Sequence, residues 1–165
     1  LVIFVTLGTE RFPFDRLIRY VETLNDELGD EEFFIQTGHT LYKPSCPHQQ
    51  FLPLDEFNQK LKDANIVVAH AGAGTLLMCK QLGKLPIMMA RRQNLGEHVD
   101  DHQQMLVERM AENGNIIRVD TLEELRDSIH RYDKICQKVN KQPSGNIALT
   151  HSLKELIDNL NTQRD

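Results

Sequence analysis

Unbroken apolar runs alternate along this chain with segments whose apolar residues recur every three or four positions. The runs predict buried strands and the periodic segments predict amphipathic helices. Leu1–Leu7 is a continuous apolar strand closed by Gly8. Phe14–Leu28 carries Leu17, Ile18, Val21, Leu24 and Leu28 at helical spacing, and Gly29 ends it. Phe33–Thr37 is a second strand, Thr40–Pro47 is rich in turn residues, and His48–Leu52 is a third strand. Pro53–Asp63 reads as a short helix with Leu54, Phe57 and Leu61 inward. Asn65–Ala69, Leu85–Ala90 and Asn115–Val119 complete the strands. Helices over Thr75–Leu82, closed by Gly83, and over Val99–Asn113, with Gly114 just past its end, lie between them. Thr121–Tyr132 opens on a capping box, Thr121-Leu122-Glu123-Glu124, and Ser144 to Asn161 is a final helical stretch. Alternating β and α with near-continuous apolar strands predicts a single α/β domain over residues 1–165. It is a Rossmann-like parallel sheet flanked by helices, whose ligands sit beyond the C-terminal strand ends.

One junction departs from the plain alternation. Ile66–Ala69 breaks at His70 into Ala71, Gly72 and Ala73, and Gly74-Thr75 opens the next helix. Glycine costs backbone entropy, so a cluster of small residues before a helix calls for a reason. Either the backbone approaches a ligand there, or helix and strand pack tightly around a half-buried His70. A helix N-terminus has unpaired N–H groups and a favourable dipole, which suit a phosphate. The P-loop pattern fails, because Thr75 and Leu76 follow Gly74. Gly8-Thr9 is a second such exit, either a phosphate loop or a plain turn, and no dinucleotide G-x-G-x-x-G is present.

A polar loop, Gly96-Glu97-His98-Val99-Asp100-Asp101-His102-Gln103, follows the fifth strand. His98 and His102 stand at i, i+4, so metal binding, a polar pocket and a charged helix start are all open readings. A phosphate site followed by hydrogen-bonding groups suits a sugar nucleotide. Arg91-Arg92 lies directly after the same strand, facing a diphosphate or simply solvent.

Composition narrows the class. A chain of 165 residues with 40% hydrophobic and 26% charged content suits one globular domain. Its net charge of −5 argues against a non-specific nucleic-acid binder. No apolar run approaches the roughly 20 residues of a membrane helix, and the apolar start lacks a signal peptide's basic flank. The three cysteines, Cys46, Cys79 and Cys136, fit no disulfide framework or zinc spacing, which suggests a cytoplasmic setting.

VTLGT at the start, HAGAGT after the fourth strand, GKLPI into the fifth and GEHVDDHQ before the next helix form a set. In that order and spacing the chain resembles the C-terminal domain of family 28 glycosyltransferases. It is most similar to the small one-domain members, the Alg13-like proteins and the PssE-type exopolysaccharide glycosyltransferases. The resemblance implies the donor-binding half of a GT-B enzyme that moves a hexose or HexNAc from a UDP-sugar to a lipid-linked acceptor in polysaccharide biosynthesis. It implies an Alg14-like or PssD-like membrane-anchored subunit that presents the acceptor and recruits this chain to the cytoplasmic face. UDP-sugar is then a substrate, and neither cofactor nor metal is expected. By the same resemblance, Gly8 and Thr9 form the first glycine loop, facing the diphosphate. His70, Gly72, Gly74 and Thr75 form the second loop and its helix start, and Asp101 and Gln103 hold the donor sugar. Glu97, His98, Asp100 and His102 belong to the subgroup motif. The general base falls to the partner, with His70 and His98 as substitutes on this chain. Where many relatives carry an acidic residue to grip the ribose, this chain has Met78. That departure admits a second reading, a non-catalytic subunit supporting a partner glycosyltransferase.

Overall fold

The computed structural model describes residues 1–140. The expected final helix, residues 144–161, lies outside them. Six parallel strands form one sheet, β1 (Val2–Thr6), β2 (Glu32–Gln36), β3 (His48–Gln49), β4 (Ile66–His70), β5 (Ile87–Met89) and β6 (Ile117–Arg118). Their order is β3-β2-β1-β4-β5-β6, the doubly wound Rossmann arrangement. The connecting helices are α1 (Asp15–Glu27), α2 (Leu54–Asp63), α3 (Ala73–Gln81), α4 (His102–Glu112) and α5 (Leu122–His130), followed by α6 (Tyr132–Asn140).

Alternation along the strands sorts the core into two faces. Ile3, Val5, Phe33, Ile35, Ile66, Val68, Ile87 and Met89 pack against Leu17, Ile18, Val21 and Leu24 of α1 and Leu125 and Ile129 of α5. On the other face Phe4 and Val67 meet Leu61 of α2 and Cys79 of α3. Ala69 and Met88 meet Leu76 of α3 and Val107 and Met110 of α4. Each fully buried aliphatic or aromatic side chain contributes about 1.5–3 kcal/mol. Sandwiched between two helical layers, the strands need no polar face, which is why they read as continuous apolar runs.

Four local expectations are corrected. Leu54 is 70% exposed, because it is the first residue of α2; Leu52 packs against the cluster that Phe57 and Leu61 enter. β3 ends at Gln49, since the Leu52 N–H turns to the side chain of Gln36 (3.1 Å) instead of a neighbouring strand. α4 begins at His102 rather than Val99. There the side chains compete for the backbone: Asp100 Oδ1 accepts from the His102 N–H (3.0 Å) and His98 Nδ1 from the Asp100 N–H (3.3 Å). Finally α6, with Tyr132, Ile135, Cys136 and Val139 at i, i+3, i+4, i+7, follows α5 directly. Its Tyr132 hydroxyl donates to the Leu85 carbonyl (2.8 Å).

Candidate functional site

The strand order reverses between β1 and β4, so their C-terminal ends flank the crevice where such sheets bind ligands. Thr6 of β1 is in register with Ala69 of β4 and Gln36 of β2, which brings Gly8, Gly38 and His70 to one level. Gly8 and Gly38 have φ of 69° and 57°, in the left-handed region. The imidazole of His70 is wedged between the two glycine loops. A methyl group at Gly8 would stand 2.3 Å from its Cε1, and one at Gly72 would stand 2.4 Å from its Nε2. Gly8 and Gly72 are thus required by this ring.

His70 is 6% exposed, and its Nδ1 is buried without a hydrogen-bond partner. Burial first, and then the positive charge of Arg91, lower its pKa to about 4, against a small opposing pull from the Thr6 backbone. It is a neutral imidazole at physiological pH. Immediately beyond it, α3 starts at Ala73 with Gly72 as N-cap and no side-chain cap. The Leu76 N–H closes on the Gly72 carbonyl (3.1 Å), so the N–H groups of Ala73, Gly74 and Thr75 precede the first intrahelical bond. Gly74 is exposed, and a methyl group there would meet nothing within 4 Å. Thr75 is buried and Thr9 exposed.

A network invisible in the sequence pattern supports this crevice from below. Arg91, expected at the surface, is 1% exposed. Its Nη2 donates to the Leu7 carbonyl (2.9 Å), and its Nη1 to the carbonyls of Phe12 (2.7 Å), Pro13 (3.2 Å) and Glu97 (3.3 Å). The guanidinium lies 4.8 Å from the centroid of Phe14. Burial lowers its pKa to about 10, partly offset by Glu10 and Glu97. Glu97 is 6% exposed, and both oxygens are engaged by Arg16, at 2.9 Å from Nε and 2.8 Å from Nη2. Its Oε2 also accepts from the Arg92 N–H (2.9 Å). Arg16 continues to the carbonyls of Ala90 (3.0 Å) and Asp120 (3.3 Å). Glu97 therefore builds the loop; its carboxylate is turned inward and is not free for a ligand. The clue in the sequence was a charged residue, Arg91, directly continuing an apolar strand.

The remaining motif residues line the loop from β5 to α4. Gln103, 9% exposed, accepts from the Arg91 N–H through Oε1 (3.2 Å). Asp101 is exposed and caps the single 3-10 turn at Gln93–Leu95 by accepting from the Gln93 N–H (3.0 Å). The Asp100 carboxylate meets Nδ1 of His102 (2.9 Å) and lies 3.2 Å from Nδ1 of His98, which accepts from the Asp100 N–H. The His98 ring stands 5.6 Å from that of Phe12 in the first loop. Among the described residues no three His, Cys, Asp or Glu converge to hold a metal ion. Met78, where the resemblance implies an acidic ribose ligand in many relatives, packs against the cluster of Phe4, Leu61 and Val67. A cavity of about 530 Å³ lies at the opposite end of the sheet, lined by Val2, Phe4, Phe34 and Lys60, away from these loops.

Comparison with known proteins agrees with this geometry. The chain is 27% identical over 124 residues to mouse (Mus musculus) UDP-N-acetylglucosamine transferase subunit ALG13, covering 68% of this chain and 10% of that protein. In fold it is similar to the glycotransferase of kitacinnamycin (TM-score 0.59, 18% identity, 94% of this chain and 37% of that one). It is likewise similar to the glycosyltransferase SnogD from Streptomyces nogalater (TM-score 0.52, 18% identity, 95% and 43%). The chain thus spans a tenth of the mouse protein and under half of either solved chain. Residues 2–160 match the glycosyltransferase family 28 C-terminal domain, and the chain belongs to that family.

Proposed function

We propose that this chain is the donor-binding half of a split glycosyltransferase that transfers a hexose or HexNAc from a UDP-sugar to a lipid-linked acceptor. The observation that carries the reading is the uncapped start of α3, opening at the β1/β4 crossover beside Gly8 and the neutral His70. In glycosyl transfer the acceptor hydroxyl displaces the nucleotide at the anomeric carbon, and negative charge grows on the departing diphosphate. The N–H groups of Gly74 and Thr75 and the α3 dipole are fixed donors for that charge and need no reorganisation. Thr9 adds a hydroxyl from the first loop. Asp101 and the amide N–H groups of Gln103 hold the sugar hydroxyls, so that attack from the opposite face inverts the anomeric centre. His70, neutral and walled in by glycines, is suited to shaping the diphosphate site, not to accepting a proton. The base is assigned to a membrane-anchored partner, which also brings the acceptor. The name of the mouse relative, a UDP-N-acetylglucosamine transferase subunit, supports both donor class and division of labour.

The test is thermal unfolding of the purified chain with UDP, UDP-glucose, UDP-galactose and UDP-GlcNAc at millimolar concentration. A ligand at 100 times its Kd stabilises by about 2.7 kcal/mol, enough to raise the midpoint by several degrees. No shift with any of the four removes the reading. The packing of Met78 into the apolar cluster favours a second one, in which the ribose is not gripped and the chain supports a catalytic partner. Under that reading the partner co-purifies, no nucleotide shifts the midpoint, and the complex retains activity when Gly74 is replaced.

A further inference from the structure

Charge accounting beneath the crevice leaves a residue over. Arg16 and Glu97 neutralise each other through two hydrogen bonds. His70 is uncharged. Arg91 forms no ion pair among the described residues; the four hydrogen bonds of its guanidinium all go to backbone carbonyls, and the carboxylates of Glu10 and Glu97 act on it only through space. A buried cation with no carboxylate in contact is costly, and nonpolar residues often fill such places more stably. The four carbonyls belong to Leu7 and Phe12-Pro13 in the first loop and to Glu97 in the third. Turned inward onto the guanidinium, these oxygens withdraw their partial negative charge from the faces that the loops present to a ligand. The same cation lies near enough to His70 to affect its ionisation.

We propose that Arg91 is a positioning and selectivity residue: a buried guanidinium bonded to loop carbonyls and to no described carboxylate, which shapes the first and third loops and makes the crevice select a dianionic diphosphate. The inference rests on the donor-site reading above and adds the source of its charge preference. Arg91 does not touch the ligand. It acts through the loops it holds and through its field, which the low local dielectric leaves poorly screened. The diphosphate adds negative charge from the other side of the loops to the through-space pull of Glu10 and Glu97.

The experiment compares the wild-type chain with Arg91→Met and Arg91→Lys, titrating UDP, inorganic pyrophosphate and uridine by calorimetry. The expected result is that Arg91→Met loses UDP and pyrophosphate affinity by about tenfold or more, with uridine changed less than about twofold. Arg91→Lys, which keeps a cation, recovers much of the difference. In the ligand-free proteins, NMR titration of the His70 ring follows the same charge: its midpoint near pH 4 moves upward in Arg91→Met. Equal losses for UDP and uridine, equal losses in the Met and Lys variants, or an unmoved His70 titration reduce Arg91 to a structural bolt and overturn the proposal. If Arg91→Met does not fold, Arg91→Gln, which also removes the charge, takes its place in the same comparisons. Wild-type protein that binds neither UDP nor pyrophosphate overturns the donor reading itself. Wild-type binding with an unaltered preference in the variants overturns only the role of Arg91.

Discussion

A methyl group on Gly72 would stand 2.4 Å from Nε2 of His70, whereas one on Gly74 would meet nothing within 4 Å. The two glycines of the second loop therefore answer to different demands, and substitution separates them. Gly72→Ala pushes the ring toward Gly8, which has no room either, and should cost on the order of 1–3 kcal/mol by overpacking. Gly74→Ala adds a good helix former to the first turn of α3 and should stabilise by up to about 1 kcal/mol. If the diphosphate lies against Gly74, the same change lowers UDP affinity while the melting temperature rises. Paired thermal and UDP titrations of the two variants read this out. His70 gives a pH signature as well. Its folded pKa of about 4 lies below the ordinary 6.5, so between those values the unfolded chain binds more protons than the folded one. Stability is then full above about pH 6.5 and declines as the pH falls toward 4, by roughly 3 kcal/mol from this residue. Carboxylates titrate in the same window, so the measurable quantity is a difference. His70→Asn should show a shallower loss of denaturation free energy from pH 7 to pH 4 than wild type.

At the scale of elements, legibility followed how local the determining forces are. The central strands β1, β2, β4 and β5 and helix α1 were readable because burial writes apolar residues directly into the chain. α5 was readable because its cap is a sequence-local device: the Glu124 N–H donates to Thr121 Oγ1 (3.2 Å) and Glu124 reaches back to the Thr121 N–H (3.1 Å). Thr121→Ala should cost about 1 kcal/mol in equilibrium unfolding. The start of α4 was misread because Val99 and Asp100 look like a helix opening. Only the folded loop shows Asp100 spent on His98 and His102, with Asp101 on Gln93. α6 carried its helical spacing openly and was hidden only by its close approach to α5. The site divides the same way. His70, the glycines and the helix start were legible as a contiguous motif. Gln103 was legible as a position, but its carbonyl's turn toward the Arg91 N–H was not. The roles of Arg16 and Arg91 depend on residues scores of positions away in the chain, which no local pattern contains.

Across the whole molecule those two arginines join what the chain order keeps apart. Arg16 at the start of α1 links through Glu97 to the loop after β5, and through the Asp120 carbonyl to the end of β6. The crevice between β1 and β4 is thus braced from strands that do not border it. Side-chain exposures of 15% for Arg16 and 8% for Glu97 leave little solvent screening, so this pair is not a surface ion pair of negligible worth. Removing one partner strands the other charge, and Glu97→Ala also deprives the Arg92 N–H of its acceptor. That variant should lose about 3–5 kcal/mol in urea unfolding. Arg16→Met alone should lose a similar amount, by leaving the Glu97 carboxylate buried. The double variant Arg16→Met, Glu97→Leu removes both charges and refills their volume, so its loss should be well below the sum of the losses of Arg16→Met and Glu97→Leu measured singly. Strict additivity would mean that the two side chains stabilise the fold independently and the brace has no energetic reality. Arg91 remains in the double variant with its carbonyl bonds to Leu7, Phe12 and Pro13. UDP affinity should consequently survive there better than in Arg91→Met, even where the two variants unfold at the same urea concentration.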